Sequence, residues 1–254
     1  MASLGSTGGW QLPGGIRREP GVIYGRGMEI LLIAGLWLDG SAWDQVVPQL
    51  ASLGHRAMPL TLPGQGVGSS SATLEDQVAS VVAAVDATAG VPLVVGHSAA
   101  STLAWIAAGA RPDKVGGVAL IGGFPSADGE LYADAFESQN GMVPFPGWPR
   151  FEGPDSADLD EGMKRRIASA AIPVPEAGAR GVVHHSDERR FNVPVTLICP
   201  EFSVAQAREW VQGGEVPELS LARHVDFVDI DSGHWPMFSR PTELAHLLAE
   251  VANA

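Results

Sequence analysis

Ser98 is the side chain in this sequence best placed for nucleophilic chemistry. It stands in Gly96-His97-Ser98-Ala99-Ala100, between two apolar stretches of different character. Pro92 to Val95 reads as a buried strand, and Ala99 to Ala110 reads as a helix stopped ahead of Arg111-Pro112. A serine between such elements sits on a turn too tight for bulky neighbours, and Gly96 and Ala100 supply small ones. Its hydroxyl would stand clear of the backbone. The helix beginning behind it would aim unpaired N–H groups and the positive end of its dipole at any anion formed there.

The pentapeptide resembles the nucleophile elbow of the α/β-hydrolase family, with Ala100 where the second glycine of G-x-S-x-G usually stands. A second likeness lies near the end of the chain. Ser232-Gly233-His234-Trp235-Pro236 follows the last strand and precedes the last helix, where the family places its histidine. His55, His97, His224 and His246 lie in contexts that suit packing. The resemblance further implies an oxyanion hole from the Leu36 and Ala99 amides, although Ala34 replaces the histidine of the usual His-Gly-x strand end. The acid of the triad is displaced. Pro200-Glu201-Phe202-Ser203 carries serine where the aspartate of the usual Gly-x-x-Asp pattern would fall. Asp128, beyond the strand that follows the nucleophile helix, is expected to take the role, with Glu201 second and Asp231 third.

Strands alternating with helices must hold these groups. Met28 to Ala34, His55 to Leu60, Val115 to Ile121, Asn192 to Cys199 and Val225 to Ile230 read as further strands. Helices are expected after Ser41, as an N-cap, and after Thr73, which forms a capping box with Asp76. Two more follow, around Val204 to Val211 and from Pro241. The expected fold class is α/β, a mostly parallel sheet flanked by helices in the α/β-hydrolase arrangement, with its site at the carboxyl ends of the strands. Residues 28–125 and 191–254 form the expected core, and residues 1–27 a loose arm with an edge strand near Val22 to Tyr24. Residues 126–190 read as a small irregular cap with one helix near Gly162 to Ala171. Trp37, Phe124, Trp148 and Trp235 are the expected substrate-binding side chains, with Phe145, Phe151 and Met142 as further candidates. His184-His185 lack metal-ligand spacing and read as exposed.

Composition narrows the function. A formal net charge of −13 over 254 residues disfavours nucleic acid and anionic membranes as partners. Cys199 is the single cysteine and reads as a buried small hydrophobe, which excludes an internal disulfide and a thiolate metal cluster. Gly66 and Gly68 lack the lysine of a phosphate loop. With no apolar run of spanning length and no cationic start ahead of an apolar segment, the expected compartment is the cytoplasm.

The resemblance is to the small-molecule esterase branch that includes plant methyl-ester hydrolases and hydroxynitrile lyases. It implies a cofactor-free, metal-free serine hydrolase acting on the carboxylic ester or lactone of a small, largely apolar substrate. The alternatives are a ligand-binding member of the fold and a lyase using the same Ser98 and His234 with a cap lysine, for which Lys164 is the one available. Haloalkane dehalogenation is excluded, because it needs aspartate at position 98.

Overall fold

The apolar runs bounded by glycine and proline become the strands of a single sheet. In the computed structural model, which describes residues 27–66 and 71–254, these are β1 (Glu29–Ile33), β2 (Arg56–Leu60), β3 (Leu93–His97) and β4 (Gly117–Ile121). The expected strand near Val22 lies outside the described residues. After a long excursion holding the short β5 (Met142–Val143) and β6 (Val174–Pro175), the sheet resumes with β7 (Val195–Cys199) and β8 (Val225–Asp229). The spatial order is β2-β1-β3-β4-β7-β8, and every neighbouring pair is parallel.

A parallel sheet covered on both faces calls for continuous apolar strands. Accordingly β3 and β7 are buried throughout. The edges are blunted, β2 by exposed Arg56 and Pro59 and β8 by exposed Asp226 and Asp229. The chain runs outward from β1 to β2, then crosses to β3 on the other side of β1. That reversal leaves the loops after β1 and β3 diverging from adjacent strand ends, and such sheets bind ligands there.

The helices that aim these loops are α1 (Val47–Ser52), α2 (Leu74–Ala87) and α3 (Ala100–Ala110). The Thr73–Asp76 capping box opens α2 as the sequence indicates. Ser41 does not cap a helix. The carboxylate of Asp39 accepts the Ser41 N–H and starts a 3-10 turn over Gly40–Trp43, so that α1 begins only at Val47 with Pro48 in its first turn. Apart from Ala110, every residue of α3 is buried, as a helix apolar on all sides requires, and its two hydroxyls are hydrogen-bonded, Ser101 to the Gly96 carbonyl and Thr102 to Ser126.

The excursion between β4 and β7 carries α4 (Glu161–Ala170) and α5 (Glu176–Ala179), and β5 pairs antiparallel with β6 in a ladder that the sequence pattern does not indicate. It is stitched at its base, where Tyr132 N–H donates to the Gly181 carbonyl and Ala133 N–H to the Ala179 carbonyl. The core closes with α6 (Val204–Gly213), α7 (Pro217–Leu221), α8 (Pro236–Ser239) and α9 (Pro241–Asn253). Among the described residues no helix is long and apolar enough to cross a membrane.

Candidate active site

β3 ends at His97 and α3 begins at Ala100, which leaves Ser98 to reverse the chain. Its φ of 56° lies in the left-handed region, a conformation that costs a non-glycine residue about 1–3 kcal/mol and clusters at functional sites. The turn is held by the Ser98 N–H, which donates to the Ile121 carbonyl at 2.8 Å. Strand and helix touch where they cross: a Cβ on Gly96 would collide with the Ala100 carbonyl.

The loop after β8 brings His234 to this serine. Its Nε2 lies 2.9 Å from Ser98 Oγ and its Nδ1 lies 2.7 Å from Glu201 Oε1. A carboxylate accepts only, so Nδ1 carries the proton toward Glu201 and Nε2 is left to receive one from Ser98. The His234 and Glu201 side chains are 14% and 15% exposed. Glu201 Oε2 is buried without a partner among the described residues. The excursion clamps the histidine loop from above: His234 N–H donates to the Asp155 carbonyl and Gly233 N–H to Asp158 Oδ2, both at 2.8 Å. Burial and the nearby Glu201 charge raise the Asp155 carboxyl above its ordinary pKa.

The expectation of Asp128 as partner to His234 is corrected. Asp128 Oδ1 accepts the His185 N–H at 2.8 Å, because the chain after β4 turns into the excursion instead of curling toward β8. That hydrogen bond also lowers its pKa. Asp231 is engaged through its carbonyl by Arg240. Ser203, at the vacant aspartate position, caps α6. His185 is not exposed either: its ring is 1% accessible, and Nε2 donates to the Ser126 carbonyl at 2.9 Å. Cys199 is buried, with burial and the charges of Asp229 and Glu201 pushing its thiol pKa up to about 12.

Leu36 and Ala99 both line the cavity in front of Ser98, and their amides take no acceptor among the described residues. His97 lies beneath them, 1% exposed. Gly35 N–H donates to its Nδ1 at 3.3 Å, and its Nε2 donates to the His234 carbonyl at 2.8 Å. Burial, reinforced by the charge of His234, lowers the His97 pKa to about 3.

The cavity has a volume of about 660 Å³. Trp37, Phe136, Phe151 and Trp235 give it an aromatic wall. Trp37 sets that wall: its φ is 64°, its indole N–H donates to the Val143 carbonyl at 3.1 Å, and its ring meets Phe136 edge-on at 4.7 Å. Two expected substrate-binding residues lie elsewhere. Phe124 stacks on Phe202 with ring centroids 5.5 Å apart and meets Trp210 edge-on. Trp148 packs behind Trp235 at 5.2 Å and donates its indole N–H to the Lys164 carbonyl. Phe145 and Met142 also miss the cavity lining. The stretch Leu131 to Phe136 was not expected to line it, and its only signal is the spacing of Tyr132 and Phe136 in an otherwise irregular segment.

A hydroxyl, an imidazole and a carboxylate in this order can activate the hydroxyl as a nucleophile. Comparison with known proteins agrees with the architecture. The family model for the alpha/beta hydrolase family matches residues 30–247. Curated relatives include a pyrethroid hydrolase of Sphingobium wenxiniae, 31% identical over 89% of this chain and 88% of that protein. Another is methylesterase 7 of Arabidopsis thaliana, 23% identical over 89% of this chain and 96% of that protein. Among solved structures, an extracellular alpha/beta-hydrolase from a Paenibacillus species has a TM-score of 0.72 at 18% identity, over 88% of this chain and 98% of that one. A pyrethroid hydrolase from Sphingobium faniae has a TM-score of 0.71 at 23% identity, over 89% and 98%. The family match across the whole sheet, with Ser98 at the bend after β3 and His234 after β8, shows that this chain belongs to the alpha/beta hydrolase family.

Proposed function

We propose that this protein is a serine esterase that cleaves the carboxylic ester or lactone of a small, largely apolar substrate through an acyl-enzyme on Ser98. The observation that carries this reading is the single imidazole of His234 held at 2.9 Å from Ser98 Oγ and 2.7 Å from Glu201 Oε1. Ser98 Oγ attacks the carbonyl carbon while His234 Nε2 takes its proton, and Glu201 stabilises the imidazolium formed. The carbonyl electrons move onto oxygen, and the Leu36 and Ala99 amides donate hydrogen bonds to the oxyanion formed. Collapse expels the alcohol, which leaves with the proton from His234. Water then repeats the sequence on the acyl-enzyme, releasing the acid and Ser98.

The aromatic cavity favours apolar groups on the ester, and the two curated relatives are named a methylesterase and a pyrethroid hydrolase, which supports a hydrolase reading. Against a binding-only member of the fold stands the carboxylate of Glu201, which meets His234 although position 203 is serine. Nothing favours the lyase alternative: Lys164 pairs with Glu161 outside the cavity lining.

A fluorophosphonate probe tests the nucleophile. Wild type is expected to label promptly and Ser98→Ala not at all, and unlabelled wild type would overturn the reading. Turnover of p-nitrophenyl esters of increasing acyl length, beside a set of lactones, then reports the substrate preference.

A further inference from the structure

We infer that His97 is a positioning residue whose ring ties the loop carrying the Leu36 amide to the loop carrying His234. The inference rests on the hydrolase reading above and goes beyond it, since His97 touches no reacting atom.

The ring spans two loops that are distant in sequence. Gly35 N–H, in the peptide immediately before Leu36, donates to Nδ1 at 3.3 Å, and Nε2 donates to the His234 carbonyl at 2.8 Å. A Cβ placed on Gly35 would lie 3.0 Å from both His97 Nδ1 and Ser98 Cβ, so this backbone rests directly against ring and nucleophile. Only one form of the imidazole satisfies both bonds, neutral with its hydrogen on Nε2. A protonated ring would set an N–H against the Gly35 N–H and place a cation in a site that is 1% exposed, beside the imidazolium that His234 becomes. Burial and the His234 charge, holding the His97 pKa near 3, keep that form across the neutral and mildly acidic range.

The groups facing His97 are thus the Gly35 amide, the His234 carbonyl and the His234 ring, at 4.9 Å between centroids. Because His97 is the chain neighbour of Ser98, its ring references the oxyanion loop and the base loop to the nucleophile itself. A shift of about 1 Å in such parts costs about 10²-fold in rate.

Each nitrogen can be replaced separately. In His97→Asn the side-chain oxygen reaches about as far as Nδ1 and can accept from Gly35 N–H, but the chain is too short for His234. In His97→Gln the amide reaches about as far as Nε2 and can donate to the His234 carbonyl. Rates are expressed per active site, titrated to completion with a fluorophosphonate, so that loss of folded protein does not enter.

For His97→Ala, kcat on a p-nitrophenyl ester is expected to fall about 10²-fold with KM within about threefold. His97→Ala is also expected to shift the pH midpoint of kcat/KM and to weaken inhibition by an aryl trifluoromethyl ketone, whose adduct places an oxyanion at the Leu36 and Ala99 amides; His97→Gln is expected to restore the first and His97→Asn the second. The inference is overturned if His97→Ala keeps wild-type kcat per titrated site, or if the Gln and Asn variants behave alike in both measurements. Failure of the hydrolase reading is distinguishable, because then wild type itself would neither label nor turn over.

Discussion

Glu201 reaches His234 Nδ1 at 2.7 Å from a position two residues ahead of Ser203, where the family pattern carries its aspartate. The extra methylene of glutamate spans the gap left by the earlier backbone position, and Ser203 is released to cap α6 through its capping box with Gln206. Glu201 thus serves His234 while Ser203 serves the helix that follows.

Glu201→Gln keeps the shape and removes the charge that fixes the His234 tautomer. Its kcat is expected to fall by about 10²–10⁴-fold, the range typical of losing a triad acid. Asp128→Asn, whose carboxylate meets the His185 amide and the exposed His184 ring and not His234, is expected to stay within about twofold of wild type. Steady-state rates on a p-nitrophenyl ester check both, and a larger loss for Asp128→Asn would reject the assignment of Glu201.

Gly233 places the histidine loop under the excursion. A Cβ there would run into the Asp155 carbonyl and the Asp158 carboxylate, the two groups that accept the His234 and Gly233 amides. Gly233→Ala is expected to lower stability by about 1–3 kcal/mol, as overpacking does, and to cut kcat at least tenfold by displacing His234. Urea denaturation beside single-turnover acylation separates the two effects, and unchanged acylation would show that the loop is held in some other way.

The bend at Ser98, the loop holding His234 and the succession of core strands along the chain were legible in the sequence because each depends on local grammar: a buried apolar run, a small-residue turn, a glycine ahead of histidine. The acid partner and the cavity wall were not, because both depend on where the 122–194 excursion folds back. Asp128 stands a few residues past β4 just as an acid in that loop would, yet its direction is set by the His185 amide, 57 residues later. Phe124 and Trp148 likewise have the right chemistry, but Phe202 and Trp235 claim their faces. Spacing along the chain cannot report such partners.

Phe136→Ala removes one ring of the cavity wall, the one packed on Trp37 at 4.7 Å. For aromatic esters KM is expected to rise about tenfold with kcat little changed, corresponding to about 1.4 kcal/mol of lost uniform binding. Acetyl esters should respond less. Phe124→Ala, whose ring faces Phe202 and Trp210, should leave the ratio of the two KM values where it is. A selectivity change in the Phe124 variant and none in the Phe136 variant would reverse the assignment of the wall.

Glu218 on α7 anchors the end of the excursion beneath α3. It accepts from Trp105 Nε1 and Arg190 Nε, each at 2.8 Å, and the Arg190 and Glu218 side chains are 8% and 6% exposed. Burial pushes the carboxyl pKa up, but the hydrogen bonds from Arg190 and Trp105 outweigh it and the net shift is downward. Glu218→Leu strands a buried guanidinium and is expected to cost about 3–5 kcal/mol, most of it recovered in the double variant with Arg190→Met. Kinetic constants of the folded fraction should not move.

His97 also leaves a signature in the pH dependence of folding. Its folded pKa, near 3, lies below the 6.5 of an unfolded chain, so below pH 6.5 the unfolded state binds a proton that the native state refuses. Stability is therefore complete above pH 6.5 and declines as pH falls toward 3, at up to about 1.4 kcal/mol per unit. Between pH 7.5 and 5.0 this site alone is expected to remove about 2 kcal/mol. His97→Gln carries no titrating ring, while His55, which burial also shifts downward, acts equally in both proteins. Urea unfolding at the two pH values should show wild type losing about 2 kcal/mol more than the variant, and equal losses would mean that the His97 ring takes up its proton in the native state.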